Sequence, residues 1–234
     1  MRNPTSAKLD CATCPVRDRA ACAALSDPER NELARIGRTR RVSRGETLFA
    51  AGDDSGACAT LIRGALKIAS YGDDGTERIL SLIHPAGFVG EMFMAVAHHD
   101  VVALADSELC LFDRSDYEAA VDRFPALAKA LLRRSAEDLF DARSLVELQA
   151  RRDSKGRVAA FLLAMARAAS HSPCHPAREF ELPLSRGEMA GLLGLTIETV
   201  SRQVTALERS GIIARNGQRG IGITDPAQLA ALAS

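Results

Sequence analysis

Hydrophobic and polar positions follow two periods along this chain, and the change from one to the other marks its parts. Between residues 47 and 112 the apolar residues fall in short runs: Thr47-Leu48-Phe49, Ala59 to Ile62, Ala65 to Tyr71, Arg78 to Ile83, Val101 to Ala105 and Glu108 to Phe112. Gly45, Gly52-Asp53-Asp54, Arg63-Gly64, Gly72-Asp73-Asp74-Gly75 and His84-Pro85-Ala86-Gly87 punctuate them with the residue types that turns require. Evenly spaced short strands predict a compact β-roll or barrel. Just ahead, Ser26-Asp27-Pro28-Glu29-Arg30 reads as a capped helix start, with Leu33 and Ile36 turned inward.

After Phe124-Pro125 the period becomes helical and stays so from Ala126 to about Arg152. Ala128, Leu132, Ser135, Leu139, Ala142 and Val146 recur at alternating steps of four and three, the seam of a coiled coil. Roughly 27 helical residues span about 40 Å at 1.5 Å per residue, enough to join a sensor to a reader. Leu132, Ser135, Leu139, Ala142 and Val146 are therefore the expected contacts of a homodimer, while Leu127, Leu131 and Phe140 fall off the seam and should pack on the β-domain. The small or polar Ala128, Ser135 and Ala142 weaken the seam, so association is expected to be conditional. Asp153-Ser154-Lys155 then looks like a hinge and cap before a helix from Val158 to Ala169, whose Phe161, Leu162 and Met165 should pack beneath the last part of the chain.

In that last part, the segment from Leu184 to Ile213 reads as a helix-turn-helix. Ser185 and Glu188 form a capping-box pair, and Met189, Ala190, Leu192 and Leu193 supply the buried side of a short first helix. Gly194 breaks it, Thr196 stands at a second N-cap, and Val200, Val204 and Leu207 line one face of the second helix. The other face carries Glu198, Ser201, Arg202 and Thr205. Such a mixture suits major-groove reading, where Arg takes guanine O6/N7 and Glu accepts from cytosine N4. Thr196 and Thr199 at the start of that helix and Arg186 at the start of the first complete the candidate DNA contacts. Arg209-Ser210-Gly211 closes the helix, and Ile212-Ile213, Gly217, Gly220, Ile221 and Ile223 look like two strands and the tip of a wing.

A length of 234 residues suits two modest domains, and 47% hydrophobic content can fill a core in each. The formal net charge of zero argues against a general polyanion binder. From Lys155 onward, however, nine basic residues face six acidic ones, leaving that part at +3. The polar start MRNPTSAKLD and the shortness of the longest uncharged apolar run, Val158 to Ala166, predict no targeting segment and no membrane span, which needs about 18 residues. The expected location is cytoplasmic, where six cysteines are expected to be reduced, ligating or buried.

Cys11, Cys14 and Cys22 stand in a stretch without helix or strand period, and a Cys-x2-Cys pair lets two thiolates reach one metal centre. Arg17 and Arg19 nearby would favour the deprotonated thiols that ligation demands. Three thiolates are one short of a closed zinc site or a four-cysteine cluster, and Cys58, Cys110 and Cys174 are the available fourth ligands. His171, Cys174 and His175 fall in an ordinary Pro-rich loop, and His98-His99 reads as a solvated turn before a strand. No nucleophile-base pair or phosphate-cradling loop points to an enzyme.

In this order, strand-rich sensor, long helix and winged reader, the chain resembles the cyclic-AMP receptor/FNR family of bacterial transcription regulators over nearly its whole length. The β-domain turns Gly45-x-x-Leu48-Phe49-x-x-Gly52-Asp53, Gly64-x-Leu66-Lys67-Ile68, Gly75 and Pro85-x-Gly87-x-x-Gly90-Glu91 are similar to that family's, as is Ile197-Glu198-Thr199-Val200-Ser201-Arg202 to its recognition helix. The resemblance implies an α+β fold: a cysteine segment at 1–28, a cyclic-nucleotide-binding-like β-roll sensor at 29–124, a dimerisation helix at 125–153 and a winged helix-turn-helix at 154–234. In the FNR branch Glu, Ser and Arg at the places of Glu198, Ser201 and Arg202 read a TTGAT-type half-site, which implies a homodimer on an inverted repeat of double-stranded DNA, with RNA polymerase as a further partner. That branch holds an oxygen-labile [4Fe-4S] cluster, and its ligands would be Cys11, Cys14, Cys22 and Cys110, with Cys58 a small buried residue. The Cys-x2-Cys-x7-Cys spacing resembles a variant of the branch. The Arg-Ser pair that takes a cyclic nucleotide's phosphate is absent after Gly90-Glu91, and His98-His99-Asp100 stands nearby, so no cyclic nucleotide is expected. The branch's acidic seam residue falls near Ala142, so loss of a cluster would either dissociate the dimer or reorient its helices. The alternatives are a cluster-free regulator sensing haem, nitric oxide or another small ligand, and a protein with a structural zinc.

Overall fold

The computed structural model describes residues 7–151, 153–170 and 175–233, and the chain divides into two units, Met1–Phe140 and Asp141–Ser234. His171 and Cys174 lie outside the described residues, as does Arg152 at the expected end of the long helix. No helix among the described residues is long and apolar enough to cross a membrane.

In the first unit the chain runs β1 (Ala7–Lys8), a 3-10 turn at Ala21–Ala24, α1 (Asp27–Ile36), β2 (Gly37–Val42), β3 (Thr47–Phe49), β4 (Ala57–Arg63), β5 (Leu66–Tyr71), β6 (Glu77–Ile83), β7 (Phe88–Val89), β8 (Asp100–Ala103), β9 (Ser107–Asp113), α2 (Arg114–Arg123) and α3 (Pro125–Ala150). Two antiparallel sheets form, ordered β1-β2-β9-β4-β7 and β3-β8-β5-β6. All six strands expected from the apolar runs are present. Leu61, Leu109 and Leu111 from one sheet and Leu48, Leu66, Ile83, Val101 and Ala103 from the other make the core between them. Strand β2 is an addition. Its sequence, GRTRRV, has no apolar alternation to reveal it, and only Val42 is buried; an unbroken ladder to β9 from Gly37–Phe112 to Val42–Ser107 holds it.

Helices α1, α2 and the start of α3 cover the outer face of the first sheet, where Leu25, Leu33, Cys58, Phe112, Tyr117, Phe124 and Leu127 form a second apolar cluster. Ser26 caps α1 through Glu29, whose Oε2 accepts from the Ser26 backbone N at 2.8 Å and its Oγ at 2.6 Å. On α3, Leu127 is buried and Leu131 packs against this cluster, as expected. Phe140 does not: it is 69% exposed. Its place in the helical period turns it off the seam, but the β-domain does not reach that far along α3. The seam residues Leu132, Ser135, Leu139, Ala142 and Val146 are all exposed on the single chain.

The second unit takes in the end of α3 and then α4 (Ser154–Ala168), β10 (Glu179–Glu181), α5 (Arg186–Leu193), α6 (Ile197–Arg209), β11 (Ile213–Asn216), β12 (Gly220–Ile223) and α7 (Pro226–Ala233). Asp153 caps α4, accepting from Lys155 N at 3.0 Å and Gly156 N at 2.8 Å. Phe161, Leu162 and Met165 are buried under the helix pair. The wing has three strands, β10-β12-β11, of which the Glu-Phe-Glu of β10 is too short and charged to stand out. Helix α7 is also additional, and its Leu229 is fully buried. Replacing Leu127 by Ala deletes a side chain buried without remainder at the junction of α3 and the outer cluster. It should cost about 2–5 kcal/mol, read as a lower urea midpoint at an unchanged slope.

Candidate functional site

Along β9 the period of two sends Leu109 and Leu111 into the roll and Cys110 and Phe112 to the outer face. Cys110 lies between Thr39 of β2 and Thr60 of β4. The N-terminal segment docks on that face. β1 pairs with β2, Val16 and Ala20 pack against Ala86, and the 3-10 turn carries Cys22. Cys11, Cys14, Cys22 and Cys110 consequently line one small cavity of about 30 Å³, with Leu9, Val16, Leu33 and Phe112 among its apolar walls. Cys58, the rival fourth thiol, is buried elsewhere in the outer cluster and does not line it. Among the described residues no three His, Cys, Asp or Glu side chains are grouped so as to hold a single metal ion.

Burial raises the Cys11 thiol, and Cys14 adds to this. Burial also pushes Cys22 up to about 11, with Cys11 and Cys14 contributing. Cys110 rises further, by burial first and then by the other three thiols. The expected thiolate character from Arg17 and Arg19 is thus corrected. Arg17 opposes the rise at Cys11 only weakly, and the stronger cation beside these thiols is Arg30. Arg30 is buried beneath the segment. Its guanidinium donates to Cys22 O at 3.2 Å, Leu25 O at 2.8 Å and Asp27 Oδ1 at 2.7 Å. It was hidden in the sequence because Ser-Asp-Pro-Glu-Arg reads as an ordinary exposed first turn.

The second candidate site is the reader. Ser185 Oγ accepts from Glu188 N at 3.2 Å and Ser185 N donates to Glu188 Oε2 at 2.7 Å. Gly194 ends α5 at φ 62°, a left-handed conformation that glycine adopts without strain. Arg157 of α4 donates to Leu193 O at 3.2 Å and Gly194 O at 3.3 Å, fastening the turn from below. Thr196 Oγ1 accepts from Thr199 N at 3.2 Å and starts α6. Val200, Val204 and Leu207 are buried, while Ser201, Arg202, Thr205 and Arg209 line one open depression. Glu198 is fully exposed, and hydrogen bonds from its own backbone N–H and from Thr196 hold its carboxyl below the usual range. It is thus an ionised acceptor. Arg186 is not brought to this face. It is half-buried, lowered by burial and by Arg215, and it lines a separate groove with Arg215, Gln218 and Arg219 of the wing.

The β-roll contains a third feature, a cavity of about 830 Å³ walled by Phe49, Asp53, Asp54, Glu91, His99 and the α3 residues Leu131, Leu132 and Ser135. Among the described residues, Arg40 is the only arginine or lysine lining it. Its Nη2 lies 3.3 Å from Glu46 Oε1, and its buried Nε has no partner among them. Burial opposes ionisation of Glu91, but hydrogen bonds from the His98 side chain and backbone and from His99 hold its carboxyl below the usual range. The His98-His99 turn is indeed solvent-facing before β8, and both imidazoles reach Glu91.

A β-roll followed by a long helix and a winged helix-turn-helix is the layout of a DNA-binding regulator. Residues 39–124 match the family model of the cyclic nucleotide-binding domain, and residues 156–232 that of the Crp-like helix-turn-helix domain. The chain is 35% identical to the transcriptional activator protein FnrL of Cereibacter sphaeroides over 222 residues, covering 94% of this chain and 90% of that one. It is 32% identical to the nitrogen fixation regulation protein FixK of Bradyrhizobium diazoefficiens over 231 residues, covering 96% and 94%. Among solved structures, FixK2 from Bradyrhizobium japonicum superposes with a TM-score of 0.77 at 26% identity, over 85% of this chain and 98% of that one. The chain belongs to the CRP/FNR family of transcription regulators.

The raised thiols set a pH dependence. Burial favours the neutral form in the fold, so its contribution to stability is complete below about 9, the ordinary value, and is lost as pH rises through about 11 for Cys22. In metal-free protein, alkylation of Cys22 by iodoacetamide at pH 8 should be slower than that of an unfolded control and should climb until about pH 11. Mass spectrometry of the Cys22 peptide checks this, and a plateau by pH 9 would contradict it.

Proposed function

We propose that this chain is a homodimeric, cytoplasmic DNA-binding transcription regulator that senses oxygen through a [4Fe-4S] cluster held by Cys11, Cys14, Cys22 and Cys110. The observation that carries the reading is the meeting of these four thiols, three from the N-terminal segment and one from β9, around one cavity. Their soft sulfur donors, apolar walls and neighbouring guanidinium suit a cysteine-bound cluster. A cavity of about 30 Å³ requires the segment to stand off slightly to admit it. When bound, the cluster would supply an oxygen-reactive centre that cross-links the segment to β9.

The chain's own residues carry the rest. Cys22 and Cys110 pack in the apolar cluster that also contains Leu127 and Leu131 of α3. Whether the segment is tied or free therefore alters packing at the base of the dimer helix. Arg30 holds the segment by the Cys22 and Leu25 carbonyls. A tied segment biases α3 toward the form that pairs through Leu132, Ser135, Leu139, Ala142 and Val146, and a free one releases that bias. The pair then presents two α6 helices to half-sites about one helical turn apart, an inverted TTGAT-type repeat. Arg202 takes a guanine edge, Glu198 a cytosine amine and Ser201 a base or phosphate, with Thr196 and Thr199 at the helix start and Arg186 on backbone phosphates. RNA polymerase is the partner through which a bound dimer would act.

A second reading, a small-ligand site, rests on the cavity of about 830 Å³ in the β-roll, which Arg40 helps to wall. Asp53, Asp54 and Glu91 in its wall disfavour a cyclic nucleotide's phosphate. Iron and sulfide analysis of anaerobically purified protein separates these readings. The cluster predicts iron and sulfide in equal amounts, a broad visible absorbance that bleaches in air, and DNA affinity that falls with it; Cys110→Ser should abolish all three. Operator binding by iron-free protein, indifferent to air, would select the ligand reading, and one zinc per chain would select a structural metal. Arg202→Ala should weaken operator binding by about 1–3 kcal/mol and relax base preference at one position, leaving the visible spectrum unchanged.

A further inference from the structure

The exposed loop after β7 is built as an interaction surface. Gly90 leaves the strand at φ 118°, and a Cβ there would stand 2.8 Å from Cys58 Cα, so the departure point is fixed. The loop is then fastened at nearly every residue. Ser55 Oγ donates to Glu91 O at 2.9 Å, Phe93 N to Glu118 Oε1 at 2.8 Å, Ser55 N to Ala95 O at 3.1 Å and Gly52 N to Ala97 O at 2.8 Å. The Arg114 guanidinium donates to Met94 O. Yet Phe93, held at φ 62°, is 70% exposed, and Met94 and Val96 are exposed beside it. A left-handed backbone is unfavourable for an aromatic residue and persists only where its surroundings impose it. A rigidly held apolar patch facing solvent marks a contact surface.

We propose that Phe93, Met94 and Val96 form a second contact of the homodimer, packing on a second copy of this chain beside the α3 seam. This rests on the reading of α3 as a dimer helix. The loop and the seam meet at one feature: Met92 and Phe93 line the same cavity of about 830 Å³ as Leu131, Leu132 and Ser135. Size favours the same occupant. Leu132 at 72%, Leu139 at 51% and Val146 at 66% exposure are separated by small or polar seam residues. A few such side chains, on the order of 100 Å² each, fall well short of the ~800 Å² per partner that a stable interface buries. Phe93, Met94 and Val96 add a contribution of similar size, and a two-fold dimer presents each patch twice. The carboxylates Asp53, Asp54 and Glu91 nearby disfavour DNA as the occupant.

The test is sedimentation equilibrium of the full chain, purified and held without air, over a concentration series. Phe93→Gly removes the ring while suiting the left-handed backbone, so the dilute monomer should keep its circular dichroism and thermal midpoint. The dimer dissociation constant should rise at least tenfold. Met94→Ser/Val96→Ser, at positions with no backbone strain, should weaken the dimer likewise and serves if the glycine variant misfolds. Leu132→Ser separates the two readings. If it weakens the dimer while both loop variants associate like wild type, the loop proposal falls alone and the patch serves a different protein. If Leu132→Ser also associates normally, or the wild type stays monomeric at every concentration, the dimer-helix reading falls and takes the loop with it.

Discussion

The period of two along β9 is the constraint on which the sensor domain depends. Leu109 and Leu111 fill the roll, so Cys110 and Phe112 must face outward, between β2 and β4. A one-residue slip of register would bury the thiol among leucines and expel the leucines to the outer face. Both neighbouring ladders hold it in place, Thr39 on one side and Thr60 on the other. The outer face so created is where the N-terminal segment, α1, α2 and the base of α3 meet. Two of the four thiols that line the cavity, Cys22 and Cys110, thus share one apolar cluster with the base of α3.

The reader is held together differently. α5 has eight residues, too few to be stable alone, and its ends are tied from outside. Ser185 and Glu188 satisfy its first N–H groups, while Arg157 from α4 and Gln149 from the end of α3 donate to carbonyls at Leu193, Gly194 and Leu192. The turn is fastened from two neighbouring helices, α3 and α4. That fastening lets short side chains such as Ser201 and Thr205 stand at defined places on α6.

What was legible in the sequence was whatever expresses itself as a period, a cap or a turn. The six strands, the long helix, the capped start of α1, the capping box of α5 and the reader's buried face follow from such local rules, and Cys110 lines one cavity with Cys11, Cys14 and Cys22. What was not legible depends on contacts distant in sequence. Arg30 looks like a first-turn arginine until Cys22 and Leu25 fold back over it. Strand β2 has polar residues and is held by its ladder, not its pattern. Phe140 has the right helical phase to leave the seam, but phase does not say how far along α3 the β-domain extends. The Phe93 loop shows only a scatter of apolar residues, and its fastening by Ser55, Arg114 and Glu118 is visible only in three dimensions.

The charge balance of the thiol cavity favours neutral thiols while no metal group is bound. Neutral thiols suit the buried site, since burial and mutual repulsion both raise Cys22 and Cys110. Four thiolates without compensation would be expelled, because Arg30 is already engaged by Asp27 and two carbonyls and supplies less than one full countercharge. A cationic metal group reverses this, since its own charge dominates the local field and makes the deprotonated set the favoured one. Without a metal group the segment is held by the β1–β2 ladder, by Arg30 and by apolar contacts, and four ligand bonds would tie it more firmly. A segment whose hold would change in this way has two of its four thiols in the same apolar cluster as Leu127 and Leu131, so a change there would be felt at the base of α3.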